Sequence, residues 1–266
     1  VEMKGKVELP CTKPTYAWEF RNSSSRNTVY DLVNGVAATP TNMATGSTSE
    51  GMTFDGVNQY LELEPWEFGD EPMTVEAYVY YKAFNTWSRI IDFGDSNGLD
   101  NVILANNRTT SKLDWSVRRG SSHRTTSTDI LELNKWIHLV ATLSGTTMKL
   151  YKDGVLTDTE TDGQEPAILT RAQHWIGRSA FSSDAYFDGT VAYLRFWHGK
   201  AVDADQVEQL YDEAQTGEEY GEMTRDRDAD GSSSGQFRPW TLPERLLRFA
   251  GASTVLLKIT SLGSYL

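Results

Sequence analysis

Cysteine is nearly missing from this chain: Cys11 stands alone among 266 residues. No intrachain disulfide framework can form, and no Cys/His spacing suits a structural zinc site. The four histidines, His123, His138, His174 and His198, are scattered. Positive charge is also scarce, with 25 Lys and Arg against 37 Asp and Glu and a net charge of −12. Nucleic-acid binding needs a basic face that releases counterions, so that class is set aside. Long apolar runs are absent too. The most apolar late stretch, RPWTLPERLLRFAGASTVLLKITSLGSYL, is interrupted by Arg248 and Lys258, which suits a docking segment or amphipathic helix and argues against membrane insertion. The opening residues VEMKGKVELP lack the apolar core of a secretory leader. Two glycosylation sequons, at Asn22 and Asn107, are compatible with a secretory route, so the expected location is extracellular or at the cell surface.

What the chain does have is aromatic residues, eight Trp and twelve Tyr, set mostly in short alternating segments. MTVEAYVYY (73–81), KLDWSVRR (112–119), WIHLVATL (136–143), MKLYKDGV (148–155) and TVAYLRFW (190–197) carry β-branched and aromatic residues with a period near two. Asp153-Gly154 predicts a tight hairpin turn, and Phe54-Asp55-Gly56 and Phe187-Asp188-Gly189 repeat an aromatic followed by a turn. Many strands and almost no helix imply two packed antiparallel sheets. One helix is expected over 202–214, capped by Asp203, with Val207, Leu210 and Tyr211 on one face. The expected organisation is an N-terminal extension (1–15), one β domain (16–215), and a polar linker with a C-terminal tail (216–266) that is disordered or loosely docked. Within that tail Asp226, Asp228, Asp230 and Gly231 match half an EF-hand loop, but Phe237 occupies the place of the bidentate Glu.

Taken in order, DLVNG (31–35), MTFDGVNQYLEL (52–63), MTVEAYVYY, WSRIIDFGD (87–95), WIHLVATLSGTTMKLYKDGVL (136–156), HWIGRSAFSSDAYFDGTVAYLRFW (174–197) and DADQVEQLYDEA (203–214) resemble the laminin-G-like domains of the concanavalin A-like lectin/glucanase superfamily. The resemblance covers about 195 residues and is carried by order and spacing, since each piece alone is weak. It implies an all-β, antiparallel jelly-roll β-sandwich with one short helix. It also implies core positions for Trp175, Ile176, Phe187, Val191, Leu194 and Phe196, and loops gathered at one rim.

Three chemistries follow from that resemblance. Rim loops of such domains often hold calcium, and Asp31, Asp55, Asp184 and Asp188 are the candidate ligands, although each also suits an ordinary turn. Sugar recognition needs rings and planar donors, which Trp87, Arg89, Trp115, Arg118, Arg119, His174 and Arg178 offer. Arg89 and Arg178 lie in family-typical segments and read as structural, which leaves Trp87, Trp115, Arg118, Arg119 and His174 as the expected ligand-binding set. Arg118, Arg119 and Arg124, concentrated in an otherwise acidic chain, point to an anionic polysaccharide. Hydrolysis would need an uninterrupted carboxylate pair, and ELEPWE (Glu62, Glu64, Glu67) is broken by Pro65. A lyase would need a set such as Arg171, Gln173 and His174. The expectation is therefore a non-catalytic carbohydrate-binding or adhesion module whose partner is a carbohydrate or a cell-surface protein. A protein-interaction domain without sugar affinity is the alternative.

Overall fold

In β12 the residues from Ile137 to Leu143 are all buried, so this strand is covered on both faces. That pattern sets the architecture: two sheets enclose one core, and further layers lie on their outer faces. The computed structural model describes residues 13–21, 27–43, 49–95 and 98–216. Seventeen strands and one helix occur among them. They are β1 (Tyr16–Glu19), β2 (Val29–Tyr30), β3 (Ala37–Thr41), β4 (Met52–Asp55), β5 (Tyr60–Leu63), β6 (Glu67–Phe68), β7 (Met73–Ala83), β8 (Arg89–Gly94) and β9 (Val102–Asn106). Then follow β10 (Lys112–Arg119), β11 (Ser122–Asp129), β12 (Trp136–Ser144), β13 (Thr147–Lys152), β14 (Val155–Glu160), β15 (Leu169–Thr170), β16 (Gln173–Ile176), β17 (Asp188–His198) and α1 (Ala204–Thr216).

One sheet has seven strands, ordered β1-β17-β7-β12-β13-β14 with β4 also paired to β17. The other has eight, ordered β11-β10-β9-β8-β16-β5-β3-β2. All pairings between these strands are antiparallel. The arrangement is the antiparallel jelly-roll sandwich. Between the sheets lie alternate residues of each strand, among them Val75, Ala77 and Val79 from β7 and Leu113, Trp115 and Val117 from β10. Each such fully buried aliphatic side chain contributes roughly 1.5–3 kcal/mol.

The hairpin expected at Asp153-Gly154 forms as β13 and β14, and both turn residues have positive φ, 49° and 80°. Such a turn follows the twist of the strands it joins. The expected helix also forms. The Gln206 N–H donates to Asp203 Oδ1 (2.9 Å) and the Asp203 N–H donates to Gln206 Oε1 (3.1 Å), a reciprocal cap. Its apolar side brings Val207 and Leu210 onto Val140, Tyr151 and Trp197 of the seven-stranded sheet. Beside that contact, on the same outer face, Glu76 is fully enclosed with His138, Tyr193 and Arg195. Burial pushes the Glu76 carboxyl up, but Arg195, His138 and the Tyr193 hydroxyl outweigh it and hold it below its usual range.

The linker and tail, with the half EF-hand sequence, and most of the N-terminal extension lie outside the described residues, as does the sequon at Asn22. The Asn107 sequon is described, and its side-chain amide donates to Asp114 Oδ2 at 2.9 Å.

Candidate functional site

Strand β16 is four residues long, and alternation divides it between two environments. His174 and Ile176 face the core; Gln173 and Trp175 face outward, with Trp175 opposite Asp92 of β8 on one side and Glu62 of β5 on the other. The chain then turns at Gly177, whose φ of +86° is open to glycine at little cost, and passes back over this outer face as the segment GRSAFSSDAY.

The segment is fastened by a buried polar network. The Ala180 N–H donates to Asp92 Oδ2 (3.0 Å), and Asn101 Nδ2 donates to Asp92 Oδ1 (2.6 Å). Burial pushes the Asp92 carboxyl up, and Arg89 with these donors opposes it without cancelling it. Arg89 joins Asp184 at 2.6 Å, and the Ser179 hydroxyl donates to the same Asp184 oxygen at 2.8 Å. Phe181 rests between Arg118, whose guanidinium carbon is 5.2 Å from the ring centroid, and Arg89 at 5.9 Å.

Between this segment and the sheet is a cavity of about 280 Å³ lined by Gln173, Trp175, Arg178, Phe181, Asp184 and Tyr186, with Ser179, Ala180 and Ser182 completing the wall. Its volume lies at the small end for ligand sites. Two of its residues carry buried polar atoms without a hydrogen-bond partner, Gln173 Oε1 and Trp175 Nε1. Both atoms are enclosed by protein, as are unpartnered atoms elsewhere in the fold such as Trp66 Nε1 and both ring nitrogens of His174. Above Trp175 lies the Arg178 guanidinium, 4.0 Å from that ring centroid and 4.7 Å from the ring of Tyr60.

The residues expected to bind ligand separate in the fold. Trp115 and His174 are corrections: both side chains are fully buried on the core side, because alternation places them there. Trp115 Nε1 donates to the Thr142 carbonyl at 3.2 Å. His174 packs edge-on to Trp66 (4.1 Å) and flat on Phe93 (4.8 Å), and burial with the nearby Arg171 charge brings its pKa down to about 3. Arg119 is exposed but pairs with Asp70 at 2.5 Å, and Arg124 pairs with Asp162 at 3.3 Å. Trp87 is half-buried with φ +54°, near Arg89, and Arg118 reaches Phe181. The structure thus brings Arg118 onto Phe181 of the cavity wall, leaves Trp87 beside Arg89, and takes the others elsewhere. Residues Gln173, Trp175, Tyr60 and Tyr186 were not in the expected set. For Gln173 and Trp175 the signal was the alternation of QHWI once Ile176 is assigned inward; Tyr60 and Tyr186 reach the site only through the fold.

Of the four aspartates, Asp31 is buried and accepts the N–H groups of Ala17, Val33 and Asn34, while Asp184 is held by Arg89. Asp55 accepts from Val57 and Asn58, and its Cα is the cross-strand partner of Asp188. Among the described residues, no group of three or more His, Cys, Asp or Glu side chains is placed to hold a metal ion. The lyase-type set does not assemble: His174 faces the core, whereas Gln173 faces outward. Arg171 is buried against the carbonyls of Asp100, Phe68 and Ala167. Among the described residues no helix is long and apolar enough to cross a membrane.

Residues 55–208 match the laminin G-like family model described as the concanavalin A-like lectin/glucanases superfamily. Several solved structures share the fold. Domain 4 of an extracellular arabinanase from Geobacillus stearothermophilus, solved with arabinotriose, is 18% identical with a TM-score of 0.58, covering 75% of this chain and all of that one. A sialidase from Trypanosoma rangeli, solved with sialic acid, is 17% identical with a TM-score of 0.54, over 75% of this chain and 33% of that one. The ligand-binding domain of botulinum neurotoxin serotype D, solved with N-acetylneuraminic acid, is 12% identical with a TM-score of 0.56, over 75% and 50%. No curated protein matches the chain by sequence.

Proposed function

This chain belongs to the concanavalin A-like lectin/glucanase superfamily, and from that premise we propose that it is a non-catalytic carbohydrate-binding module whose ligand enters the cavity beneath residues 177–186. The observation that carries the reading is a cavity walled by the rings of Trp175, Phe181 and Tyr186, with the Arg178 guanidinium in the same wall and no carboxylate paired to it among the described residues. Sugar hydroxyls both donate and accept, and a ring such as Tyr186 suits the C–H face of a pyranose. Structures of this fold solved with arabinotriose and with N-acetylneuraminic acid support the reading by analogy of fold.

Two features support a binding role over a hydrolytic one. A glycosidase needs two carboxyl groups free to meet the glycosidic bond. Here Asp184 is engaged by Arg89 and Ser179, and Asp92 is fully enclosed. The anionic preference expected from Arg118, Arg119 and Arg124 loses its footing on that hairpin, since Arg119 and Arg124 are paired with carboxylates. Calcium belongs to the proposal only through Asp55 and Asp188, the two candidate ligands not engaged by Arg89 or buried in a turn.

The test is a glycan array followed by calorimetric titration of the best ligand, with Gln173→Ala and Tyr186→Ala beside the parent chain. Saturable binding to one sugar class, weakened about tenfold or more in both variants and unchanged in Arg119→Ala, is expected. Absence of saturable binding to every glycan, or release of reducing ends or unsaturated products, would overturn the reading.

A further inference from the structure

Arg178 stands out within the cavity by what it does not touch. Among the described residues it has no carboxylate within ion-pair distance and no hydrogen-bond acceptor, although Arg89 beside it has both. Its contacts are to ring faces: Trp175 at 4.0 Å and Tyr60 at 4.7 Å. A guanidinium lodged over an indole and a phenol ring is restrained in position, while its N–H groups are not taken by an acceptor. That edge matches a planar carboxylate, which accepts two parallel N–H bonds from it.

The charges around the cavity favour an anion as well. Of the lining side chains Arg178 is the one cation and Asp184 the one carboxylate, while Arg89 and Arg118 lie over the ring of Phe181. Asp184 is already neutralised by Arg89 at 2.6 Å, and Asp92 shares Arg89 at 3.5 Å. Among the lining residues the charge left unpaired is that of Arg178, with Glu62 opposite Trp175 on the same outer face, in a chain whose net charge is −12. The cavity volume of about 280 Å³ has room for one sugar unit.

Resting on the sugar-binding reading above, we infer that the recognised unit is a single carboxylated sugar, a uronic-acid or similar acidic residue. Its carboxylate meets the edge of Arg178, and its ring lies in the cavity beside Phe181 and Tyr186. Arg178 is then the specificity-determining residue, and the hairpin arginines at 118, 119 and 124 are not.

The experiment compares methyl hexuronides with the matching neutral methyl hexosides by calorimetric titration of the whole chain, in the parent and in Arg178→Gln and Arg178→Lys. The expected result is a hexuronide preference of about tenfold or more, as one charge-assisted fork supplies. Arg178→Gln should lose that preference while keeping whatever weak affinity the hexosides have. Arg178→Lys, which keeps the charge without the fork, should fall between and guards against a glutamine variant that folds poorly. Equal binding of acidic and neutral sugars, or a preference that survives Arg178→Gln, overturns this inference and leaves the sugar-binding reading standing. No saturable binding of any sugar by the parent chain overturns both.

Discussion

Replacing Asp31 by alanine separates two roles that a sequence cannot tell apart, turn anchor and metal ligand. In the structure the Asp31 side chain is 3% exposed and accepts three backbone N–H groups: Ala17 at 2.5 Å and Val33 at 3.2 Å on Oδ1, and Asn34 at 2.5 Å on Oδ2. These bonds tie the 31–35 turn to β1, alongside the Leu32 N–H to the Ala17 carbonyl at 2.8 Å. The three donors are not equivalent when the acceptor is removed. Asn34 is exposed and water replaces the carboxylate there; Val33 is half-exposed; Ala17 is 5% exposed and its N–H is left alone. An unsatisfied buried donor costs about 1–3 kcal/mol, and the two hydrated donors roughly half a kcal/mol each, so Asp31→Ala should lose about 3 kcal/mol in all. For a folded unit of this size that is a fall of about 6–12 °C in Tm. Asp31→Asn keeps one acceptor oxygen and should lose about 1 kcal/mol. The assay is urea and thermal unfolding followed by tryptophan fluorescence, run in excess chelator and again in calcium. A loss below about 1 kcal/mol in chelator would refute the turn-anchor reasoning. So would a loss that appears only when calcium is present, which would make Asp31 a ligand.

Two further outcomes are expected. His174 stays neutral in the folded protein down to about pH 3, while in the unfolded chain it takes up a proton near pH 6.5. The unfolded state therefore binds more protons between those values, and the stability contributed by neutral His174 is lost as pH falls through that window. Between pH 6.5 and 4.5 its share of the loss is about 2–3 kcal/mol, and His174→Phe, which keeps the packing on Trp66 and Phe93, should remove that share. Equal acid sensitivity in the variant and the parent would show that His174 is not the group responsible. For calcium, like charges opposed across β4 and β17 at Asp55 and Asp188 are unfavourable, and a bound cation would relieve them. Millimolar calcium should raise Tm by a few degrees in the parent and not in Asp188→Asn. An unchanged Tm in the parent, with no calcium found by elemental analysis, would remove the ion from the proposal.

Sequence alone determined the parts that depend on neighbours along the chain. Period-two segments became β7, β10, β12, β13 and β17 because each buries alternate side chains in a shared core, and Asp153-Gly154 became a hairpin because both residues accept positive φ. Asp203 and Gln206 cap α1 three residues apart, again a local relation. The candidate site was not legible in that way. Alternation says that His174 and Ile176 share one face and Gln173 and Trp175 the other, but not which face is enclosed. The polar histidine invited the wrong assignment: its ring packs among Trp66, Phe68 and Phe93 with both nitrogens enclosed and without a partner, a placement that only the aromatic packing around it reveals. Partners far apart in sequence decided the rest. Arg119 meets Asp70 across 49 residues, Arg89 meets Asp184 across 95, and Ala180 meets Asp92 across 88. Whether an arginine is already neutralised or remains open to a ligand depends on such pairings, and they exist only after the two sheets pack and residues 177–186 fold back over the outer face. That is why Arg119 and Arg178 look alike in the sequence, while in the fold Arg119 is paired with Asp70 and Arg178 has no carboxylate partner among the described residues.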